Sequence, residues 1–406
     1  MGKRTLVTGE RNGLSIVIRH PEGNVASNPT LASLVETLTG AGYSVHISSW
    51  FPPSPVGNAP TVTYAQTNRL LSYIKSIIFD RVCSRFLAKI LLRVELLLKG
   101  GSFDLCIGID RNGLIEAALI SEILGIPYCF ISFEITVERE TSKKYKDIER
   151  VCARGVSFWV VQDEQRGELL QAENKLDPQR VFYLPLSSPA VSGVGDRRIR
   201  DELGIPAEKK VALIFGSLSE WTLAAQVING VRAWPREWVL LIHERYGNTH
   251  ASLAAQGIDI DDLLSDRIYL SNVEMNNVND MGPLLNGASA TLAFYRPTYK
   301  SPHTGINLKV LGLAAGKIST SLRYGVPVIM NEIGTYSELA RINQFGVVVE
   351  RPACLPNALS NLDDKDRLSL QAKEFFLERL DYNLYKSALL EKIAGAIEHE
   401  DTASLA

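Results

Sequence analysis

A loop, a helix and a strand follow one another in GLAAGKISTSLRYGVPVIMNEIGTYSELA, residues 312–340, and offer chemistry suited to an anion. Gly316 lets the backbone approach a ligand closely, and Gly325 ends the helical stretch 318–324 before the strand begins. The helix start attracts negative charge through its free N–H groups and its dipole. Further donors are supplied by Lys317, Ser319 and Thr320. The segment therefore predicts a pyrophosphate site, although its composition leaves open a plain helix with a solvated lysine.

A second turn, Asn331-Glu332-Ile333-Gly334-Thr335, opens another helix directly after the next strand. Open α/β sheets bind ligands outside the carboxyl ends of their strands, which is where both turns fall. We therefore expect Gly334 and Thr335 to contribute to the same anion site.

Three titratable residues in the first half also follow predicted strands directly. They are His20, Asp110 and Glu134. Each is a candidate general base at the carboxyl end of a sheet. His20 has the ordinary pKa best suited to a base, but a single histidine after a strand equally fits a structural or acceptor-positioning role.

Alternating apolar and amphipathic runs predict two successive βαβ arrays. Strands of the first array are expected at 14–20, 44–49, 105–110, 127–132, 156–162 and 180–188. Strands of the second are expected at 210–216, 237–244, 267–272, 290–295, 327–331 and 346–350. A Pro-, Gly- and Ser-containing stretch at 189–196 is typical of an interdomain linker. We therefore expect domains over 1–190 and 191–381, followed by a helix and tail over 382–406.

Length and composition fit this division. A chain of 406 residues exceeds what one hydrophobic core usually organises. With a net charge of −2 there is no global bias toward nucleic acid, so no nucleic-acid partner is expected. The five scattered cysteines and the lack of a long apolar run predict a reduced protein on the cytoplasmic side.

The run from Gly316 to Ile329, followed by Gly334 and Glu338, resembles the nucleotide-sugar signature of family-4-type glycosyltransferases of the GT-B fold. Further similar stretches are TLASLVETLTGAGYSVHI (30–47), FDLCIGIDRNG (103–113), LGIPYCF (124–130), LDPQRVFYLPLSS (176–188), VALIFGSL (211–218) and RIYLSNV (267–273). The resemblance implies two Rossmann-like domains whose parallel sheets face a central cleft. It also implies that the terminal helix packs back toward the N-terminal domain.

The resemblance further implies transfer of a sugar from a nucleotide-sugar donor to a glycan, lipid-linked or small-molecule acceptor, with retention and without a metal or other cofactor. The N-terminal domain would bind the acceptor and the C-terminal domain the donor. Glu338 joins the diphosphate residues, and Lys317 also acts catalytically by taking up leaving-group charge. The implied nucleotide contacts are Gly216, Ser217, Asn272 and Val273. His243 ends a predicted strand beside that site and either contacts the nucleotide or caps the sheet edge.

This sequence departs from the family pattern at two places. Members often carry two glutamates, Glu-x7-Glu, across the diphosphate segment, and the matching positions here are Gly312 and Thr320. The family's Arg and Lys after the first strand of the second domain are missing from GSLSEWT, 216–222. Two other functions therefore stay open: a sugar-nucleotide epimerase using Asp110 and Glu134, and a non-catalytic binding protein.

Residues 69–99, RLLSYIKSIIFDRVCSRFLAKILLRVELLLK, carry seven Lys or Arg against two acids and are otherwise strongly apolar. That composition suits a helix lying on an anionic membrane at the inner face. The alternative is a pair of core helices with a solvated basic face.

Overall fold

A computed structural model describes residues 13–56, 60–99, 102–191, 193, 195, 197–244, 248–256, 258, 267–273, 275, 280–362 and 364–403. The chain divides into two compact units. The first unit runs to Leu184 and resumes at Tyr385, and the second is Pro185–Leu384. The N-terminal residues on which the expected location partly rests lie outside the described ranges.

The first unit is a parallel sheet with helical connections. Its strands are β1 (Ser15–Arg19), β2 (Ser44–Ser49), β3 (Val62–Gln66), β4 (Leu105–Ile109), β5 (Tyr128–Ile131), β6 (Trp159–Val161) and β7 (Val181–Tyr183). Its helices are α1 (Pro29–Gly40), α2 (Arg69–Ser76), α3 (Arg85–Lys99), α4 (Asp110–Leu124), α5 (Lys143–Ala153) and α6 (Glu164–Asn174). The strand order is β3-β2-β1-β4-β5-β6-β7, so the chain reverses direction across the sheet between β1 and β4.

The start of α4 packs directly against the ends of β1 and β4 because glycines remove the side chains between them. A Cβ on Gly113 would lie 2.3 Å from the carbonyl oxygen of Arg19. A Cβ on Gly108 would lie 2.6 Å from the carbonyl oxygen of Gly113. No real Cβ tolerates such distances, so these glycines fix where Asp110 sits relative to the end of β1.

The basic segment 69–99 is two helices, not one. A π-helical turn over Ile77–Val82 follows α2, and Cys83 then adopts a left-handed conformation with φ +49°. Of the two arrangements that the sequence left open, the structure has the pair of helices.

Lys75 and Glu95, both within the segment 69–99, are buried and belong to a charge network with Arg19 and Glu116. Glu116 accepts hydrogen bonds from Arg19 at 2.7 Å, from Lys75 at 2.8 Å and from the indole of Trp50 at 2.9 Å. Glu95 pairs with Lys75 and Arg19. Two bases and two acids balance, which is how buried charges are accommodated. Lys75 and Glu95 thus anchor α2 and α3 to the core.

The second unit contains another parallel sheet. Its strands are β8 (Lys210–Gly216), β9 (Trp238–Glu244), β10 (Ile268–Ser271), β11 (Ala290–Ala293), β12 (Val328–Met330) and β13 (Gly346–Val348). The order is β10-β9-β8-β11-β12-β13, and the reversal lies between β8 and β11. Its helices are α7 (Ile199–Glu202), α8 (Ala224–Gly230), α9 (Thr249–Ala254), α10 (Gly282–Leu285), α11 (Ile306–Lys309), α12 (Gly316–Arg323), α13 (Thr335–Asn343), α14 (Leu355–Ser360) and α15 (Lys365–Phe375).

All predicted strands are present, with ends shifted by a few residues, and both sheets are parallel as expected. The strand β3 was not predicted. The terminal helix α16 (Asn383–Ala403) begins at the end of the second unit, and from Tyr385 it belongs to the first. No helix in the described part of the chain is both long and apolar enough to cross a membrane.

Candidate functional site

Lys317 lies at the point where the strand order of the second sheet reverses. A Cβ added to Gly216, at the end of β8, would be 3.7 Å from Cε and 4.0 Å from Nζ of Lys317. The same Nζ lies 5.5 Å from the ring centroid of Tyr295, which follows β11. The ammonium group therefore sits at the carboxyl ends of β8 and β11, the position where open α/β sheets bind ligands.

Tyr295 is held on two sides. Its ring stacks on Trp221, with centroids 5.9 Å apart and an interplanar angle of 21°. Its backbone N–H donates to Oδ1 of Asn331 at 2.8 Å, and its carbonyl accepts from Nδ2 of Asn331 at 2.8 Å. Asn331 follows β12, so one amide side chain ties the ends of two neighbouring strands together. The aromatic surface beneath Lys317 is thereby fixed.

Gly316 and Lys317 are the first two residues of α12, not a loop before it. A Cβ on Gly316 would meet Cδ2 of Leu186 at 3.1 Å. The glycine thus permits close packing of the helix start on Leu186. Its expected place in a loop was wrong, and its contact with a diphosphate stays a prediction. Lys317 still projects from the first helical turn, where the dipole favours anions.

Ser319 is buried, and its hydroxyl donates to the carbonyl oxygen of Leu186 at 2.6 Å. Because a hydroxyl has one proton, this contact occupies the donor predicted for a diphosphate. Thr320, one residue further along α12, is also buried. The ligand contacts of both residues stay predictions.

The second predicted turn has a defined geometry. Gly334 has φ +80° and ψ −140°, a conformation open in practice only to glycine, and it precedes the nine-residue helix α13. Ser337 closes the turn by accepting from the N–H of Ile333 at 2.7 Å. Thr335 is half-buried and Glu338 is exposed. The backbone turn forms as expected, while the diphosphate contacts of Gly334, Thr335 and Glu338 stay predictions.

Two cations near Tyr295 are bound to one carboxylate. Glu220 pairs with Arg296 at 3.5 Å and with Lys300. The backbone N–H of Arg296 donates to the carbonyl of Trp221 at 2.8 Å. The segment after β11 is therefore joined to the segment after β8 by both charge and backbone.

The predicted nucleotide contacts lie in different surroundings. His243, in β9, is fully buried, and its Nδ1 lies 3.2 Å from the hydroxyl of Ser271. Burial lowers the pKa of His243 to about 4, so the ring is neutral. Asn272 is exposed with its amide 2.6 Å from Nδ1 of His250, and Val273 is partly buried. Ser217 is partly buried after β8, beside Gly216, whose φ is +87°.

In the first unit, Asp110 and Glu134 are neighbours across the ends of β4 and β5. Oδ1 of Asp110 accepts from the backbone N–H of Phe133 at 2.7 Å and of Glu134 at 2.8 Å. Asp110 has φ +53°, a left-handed conformation unusual for a non-glycine residue. Burial, followed by the carboxylates of Glu134 and Glu22, raises the pKa of Asp110 to about 7, and the two backbone hydrogen bonds oppose this rise. Asp110 is thus a carboxyl group able to exchange a proton near neutral pH.

His20 follows β1 and is buried. Asn24 donates to Glu22 at 3.2 Å, so its oxygen faces Nε2 of His20 at 2.7 Å. Nε2 therefore carries the proton, and Nδ1 holds a lone pair that is buried and has no hydrogen-bond partner among the described residues. Burial lowers the pKa of His20, with opposing contributions from Asn24 and Glu22. The ring is neutral and presents an acceptor nitrogen.

Several supporting residues escaped the sequence analysis. Arg166 is fully buried, donates to the carbonyl of Phe133 at 2.6 Å, and lies within electrostatic range of Asp110 and Glu134. Asn24 and Asn331 were also not predicted. Both asparagines follow a strand closely, and that position was the available signal.

The described residues bring together no group of three or more His, Cys, Asp or Glu side chains able to hold a metal ion. Two Asp-x-Asp triplets occur in the sequence. The triplet at 259–261 lies outside the described residues. In the triplet at 364–366, Asp364 caps α15 and pairs with Arg367 at 2.7 Å.

No protein-family model matches this chain, and no curated protein matches it by sequence. Solved structures do match it in three dimensions. Sucrose-phosphate synthase from Thermosynechococcus elongatus is 12% identical with a TM-score of 0.68, over 94% of this chain and 100% of that one. Anabaena HepE in complex with UDP-glucose is 12% identical with a TM-score of 0.67, over 94% and 100%.

WaaG, a glycosyltransferase involved in lipopolysaccharide biosynthesis, is 12% identical with a TM-score of 0.60, over 92% of this chain and 98% of that one. At such identities the likeness speaks for the fold alone. Because it spans nearly the whole of each chain, and because both units are parallel-sheet α/β structures, the chain has the GT-B fold.

Proposed function

We propose that the chain is a glycosyltransferase that moves a sugar from a nucleotide-sugar donor to a hydroxyl group of a glycan, a lipid-linked molecule or a small molecule, with retention. The observation that carries the proposal is the placement of Lys317. Its ammonium group lies beside Gly216 and over Tyr295, at the reversal point of the second sheet. A fixed cation there suits the diphosphate of a donor.

The reaction breaks the bond between the anomeric carbon and the diphosphate oxygen and forms a bond from that carbon to the acceptor oxygen. The nucleoside diphosphate leaves with the bonding electrons, and the acceptor hydroxyl loses its proton. Negative charge therefore grows on the diphosphate in the transition state. Lys317 and the start of α12 stabilise that charge, with Gly334, Thr335 and Glu338 completing the diphosphate site.

The residues of the first sheet serve the acceptor. The lone pair on Nδ1 of His20 accepts a hydrogen bond from a substrate hydroxyl. With retention, the acceptor proton passes to the departing diphosphate oxygen. Transfer with inversion would instead use Asp110, whose pKa is about 7, or Glu134 as the general base. The leaving group is stabilised by protein cations, and the proposal includes no metal or other cofactor.

The solved neighbours support this assignment. HepE has been crystallised with UDP-glucose and with UDP. WaaG acts in lipopolysaccharide biosynthesis. We propose a nucleoside diphosphate sugar as the donor and a glycan as the acceptor. The basic and apolar composition of residues 69–99 favours an acceptor that is linked to a lipid.

A thermal-shift screen with UDP, GDP, ADP, TDP and CMP tests donor binding. A ligand present at about 100 times its Kd stabilises the folded state by about 2.7 kcal/mol. We expect a selective shift with one nucleoside diphosphate and its loss in Lys317→Ala. Lys309→Ala is the matched control, because Lys309 also lies over a tyrosine ring, that of Tyr299 at 5.8 Å, and is exposed.

Donor turnover then separates the candidate reactions. Incubation of the selected nucleotide sugar with an acceptor panel should release nucleoside diphosphate only when an acceptor is present. Conversion of the donor sugar with no acceptor would show an epimerase. Nucleotide binding without turnover on any acceptor would show a non-catalytic binding protein.

A further inference from the structure

The outward faces of α2 and α3 form an exposed apolar surface, here named the α2–α3 surface. Its members are large apolar side chains with 46% to 85% of their area exposed. They are Leu70, Tyr73, Phe86, Ile90, Val94 and Leu97. Large exposed apolar patches mark sites that contact another protein or a membrane.

The surface is a fixed feature, because the opposite faces of both helices are anchored. On α3, Ala88, Leu92 and Glu95 recur at helical spacing and are buried. Phe86 and Ile90 lie on the other side of the same helix. Rolling α3 over to bury Phe86 would expose Leu92 and break the buried contacts of Glu95 with Lys75 and Arg19.

A basic stripe runs along one flank of the apolar residues. Arg85, Lys89 and Arg93 follow one another every four residues along α3, so they share one face. Glu122 of α4 pairs with Arg85 and with Lys89 at 2.9 Å. Arg93 is exposed beside Val94. Basic side chains flanking an apolar helical face are the pattern of helices that lie in a membrane interface.

A groove continues the basic flank toward α5. Its volume is about 470 Å³, and its lining combines basic and apolar residues. The basic members are Arg85, Lys143 and Lys144, and the apolar members include Ile148 and Val151. Asp147 is the acidic member. Such a lining combines partners for a phosphate anion with partners for apolar carbons.

We propose that the α2–α3 surface binds the surface of an anionic phospholipid bilayer, with Phe86, Ile90, Val94 and Leu97 entering the interface and the adjoining groove contacting headgroup phosphates. Charge complementarity favours this occupant, because a chain of net charge −2 concentrates basic residues around this face. A second copy fits poorly, since a twofold contact through this face would set the two basic stripes against each other.

Sedimentation with phospholipid vesicles tests the proposal on the full chain. We expect binding to mixed phosphatidylcholine and phosphatidylglycerol vesicles at low salt, and weaker binding at high salt or to pure phosphatidylcholine. The double variant Phe86→Glu, Leu97→Glu should bind at least about tenfold more weakly. The control Ile342→Glu, Leu370→Glu replaces side chains exposed by 67% and 58% in the second unit and should bind like the unaltered chain.

A second variant tests the groove without touching the apolar residues. Lys143→Ala with Lys144→Ala removes two exposed charges, each worth about fivefold in binding to an anionic surface. The proposal is overturned if the unaltered chain does not bind anionic vesicles, or if the Phe86 and Leu97 variant binds them equally well. It is also overturned if light scattering shows that the unaltered chain is a dimer and that this variant is a monomer. Nucleotide thermal shifts should stay unchanged in all variants, so the outcome is separate from that of the donor site.

Discussion

The two sheets reverse strand order at the same place, next to their first strand, and the residues that follow equivalent strands differ in charge. After β1, β4 and β5 the first sheet presents His20, Asp110 and Glu134. At the end of β8 and after β11 and β12, the second sheet presents Gly216, Tyr295 and Asn331. In both sheets a polar side chain after one strand bonds to the backbone after its neighbour. In the first sheet that side chain is a carboxylate, Asp110, and in the second it is an amide, Asn331.

The same kind of contact between neighbouring strand ends therefore carries a negative charge in the first sheet and no charge in the second. Burial of Asp110, together with the negative charges of Glu134 and Glu22, raises its pKa to about 7. The amide of Asn331 positions Tyr295 without placing a negative charge near Lys317. The first edge thus suits proton exchange with a hydroxyl, and the second suits an anion. A parallel α/β scaffold sets where the side chains lie, and their chemistry is chosen separately.

The largest expected effect comes from removing the ammonium group of Lys317, next to the carboxyl ends of the strands of the second sheet. Lys317→Ala should lower the rate of sugar transfer about 10²- to 10³-fold, as expected when a preorganised donor to a developing negative charge is lost. Lys317→Arg should recover part of the rate, and Lys309→Ala should leave it unchanged. Steady-state release of nucleoside diphosphate measures all three. Full activity in Lys317→Ala with an unchanged melting temperature would remove Lys317 from the diphosphate site.

The carboxyl group of Asp110 should make the free energy of unfolding depend on pH. The pKa of Asp110 is about 7 in the folded chain, above its ordinary value of about 3.9. Between these values the folded state holds the proton and the unfolded state does not, so stability falls as pH rises. The loss should reach about 2 kcal/mol between pH 5 and 6.5.

Asp110→Asn keeps an acceptor oxygen for the two backbone N–H groups and removes this titration. Urea unfolding of both proteins across pH 4.5 to 7.5 should therefore give curves whose difference grows with pH in favour of the variant. Glu134, Glu22 and Arg166 face Asp110 in both proteins, so their own titration enters both curves. Parallel curves would show that Asp110 does not titrate in this range.

The converse change puts a carboxylate into the second sheet. Asn331→Asp should weaken binding of the selected nucleoside diphosphate by about 1 kcal/mol through repulsion of the ligand. Asn331→Asp keeps the bond from the Tyr295 N–H and loses the one to the Tyr295 carbonyl; Asn331→Ala loses both without adding charge and is the control. Calorimetric titration at two salt concentrations distinguishes them, because only the charge effect is screened. Equal losses in both variants, independent of salt, would leave Asn331 a purely structural role.

The sequence predicted the strands well because fully buried parallel strands, such as Trp238–Glu244, are continuous apolar runs. The strand Val62–Gln66 escaped because its residues are half-buried or exposed and follow a Pro-rich stretch. Over 69–99 the sequence left one helix or a pair open, and only the position of the break at Cys83 was not predicted. In both cases the local sequence pattern carries too little information, because packing against the rest of the unit decides where the element forms.

The candidate site divides in the same way. His20 and Asp110 directly follow strands, so topology gives their positions, while Lys317 was predicted from the glycine-lysine pattern at the start of a helix. The tie between Asn331 and Tyr295 joins residues well separated in sequence, and no local pattern reveals it. Ser319 looked like a free donor because its partner, the carbonyl of Leu186, lies in a distant part of the chain.

The smallest effect is expected from Gly216, the glycine at the end of β8 whose backbone lies next to the side chain of Lys317. Gly216→Ala places a methyl group 3.7 Å from Cε of Lys317, an ordinary contact, but forces alanine to φ +87°. The backbone cost should be about 1 kcal/mol. Gly204→Ala is the matched control, since Gly204 has φ +66° with nothing near the added methyl group. Both variants should lose similar stability in urea unfolding, whereas only Gly216→Ala should weaken nucleotide binding, by a few-fold, because its methyl group restricts Lys317. Unchanged binding in Gly216→Ala would mean that the ligand engages Lys317 from a side that the end of β8 does not touch.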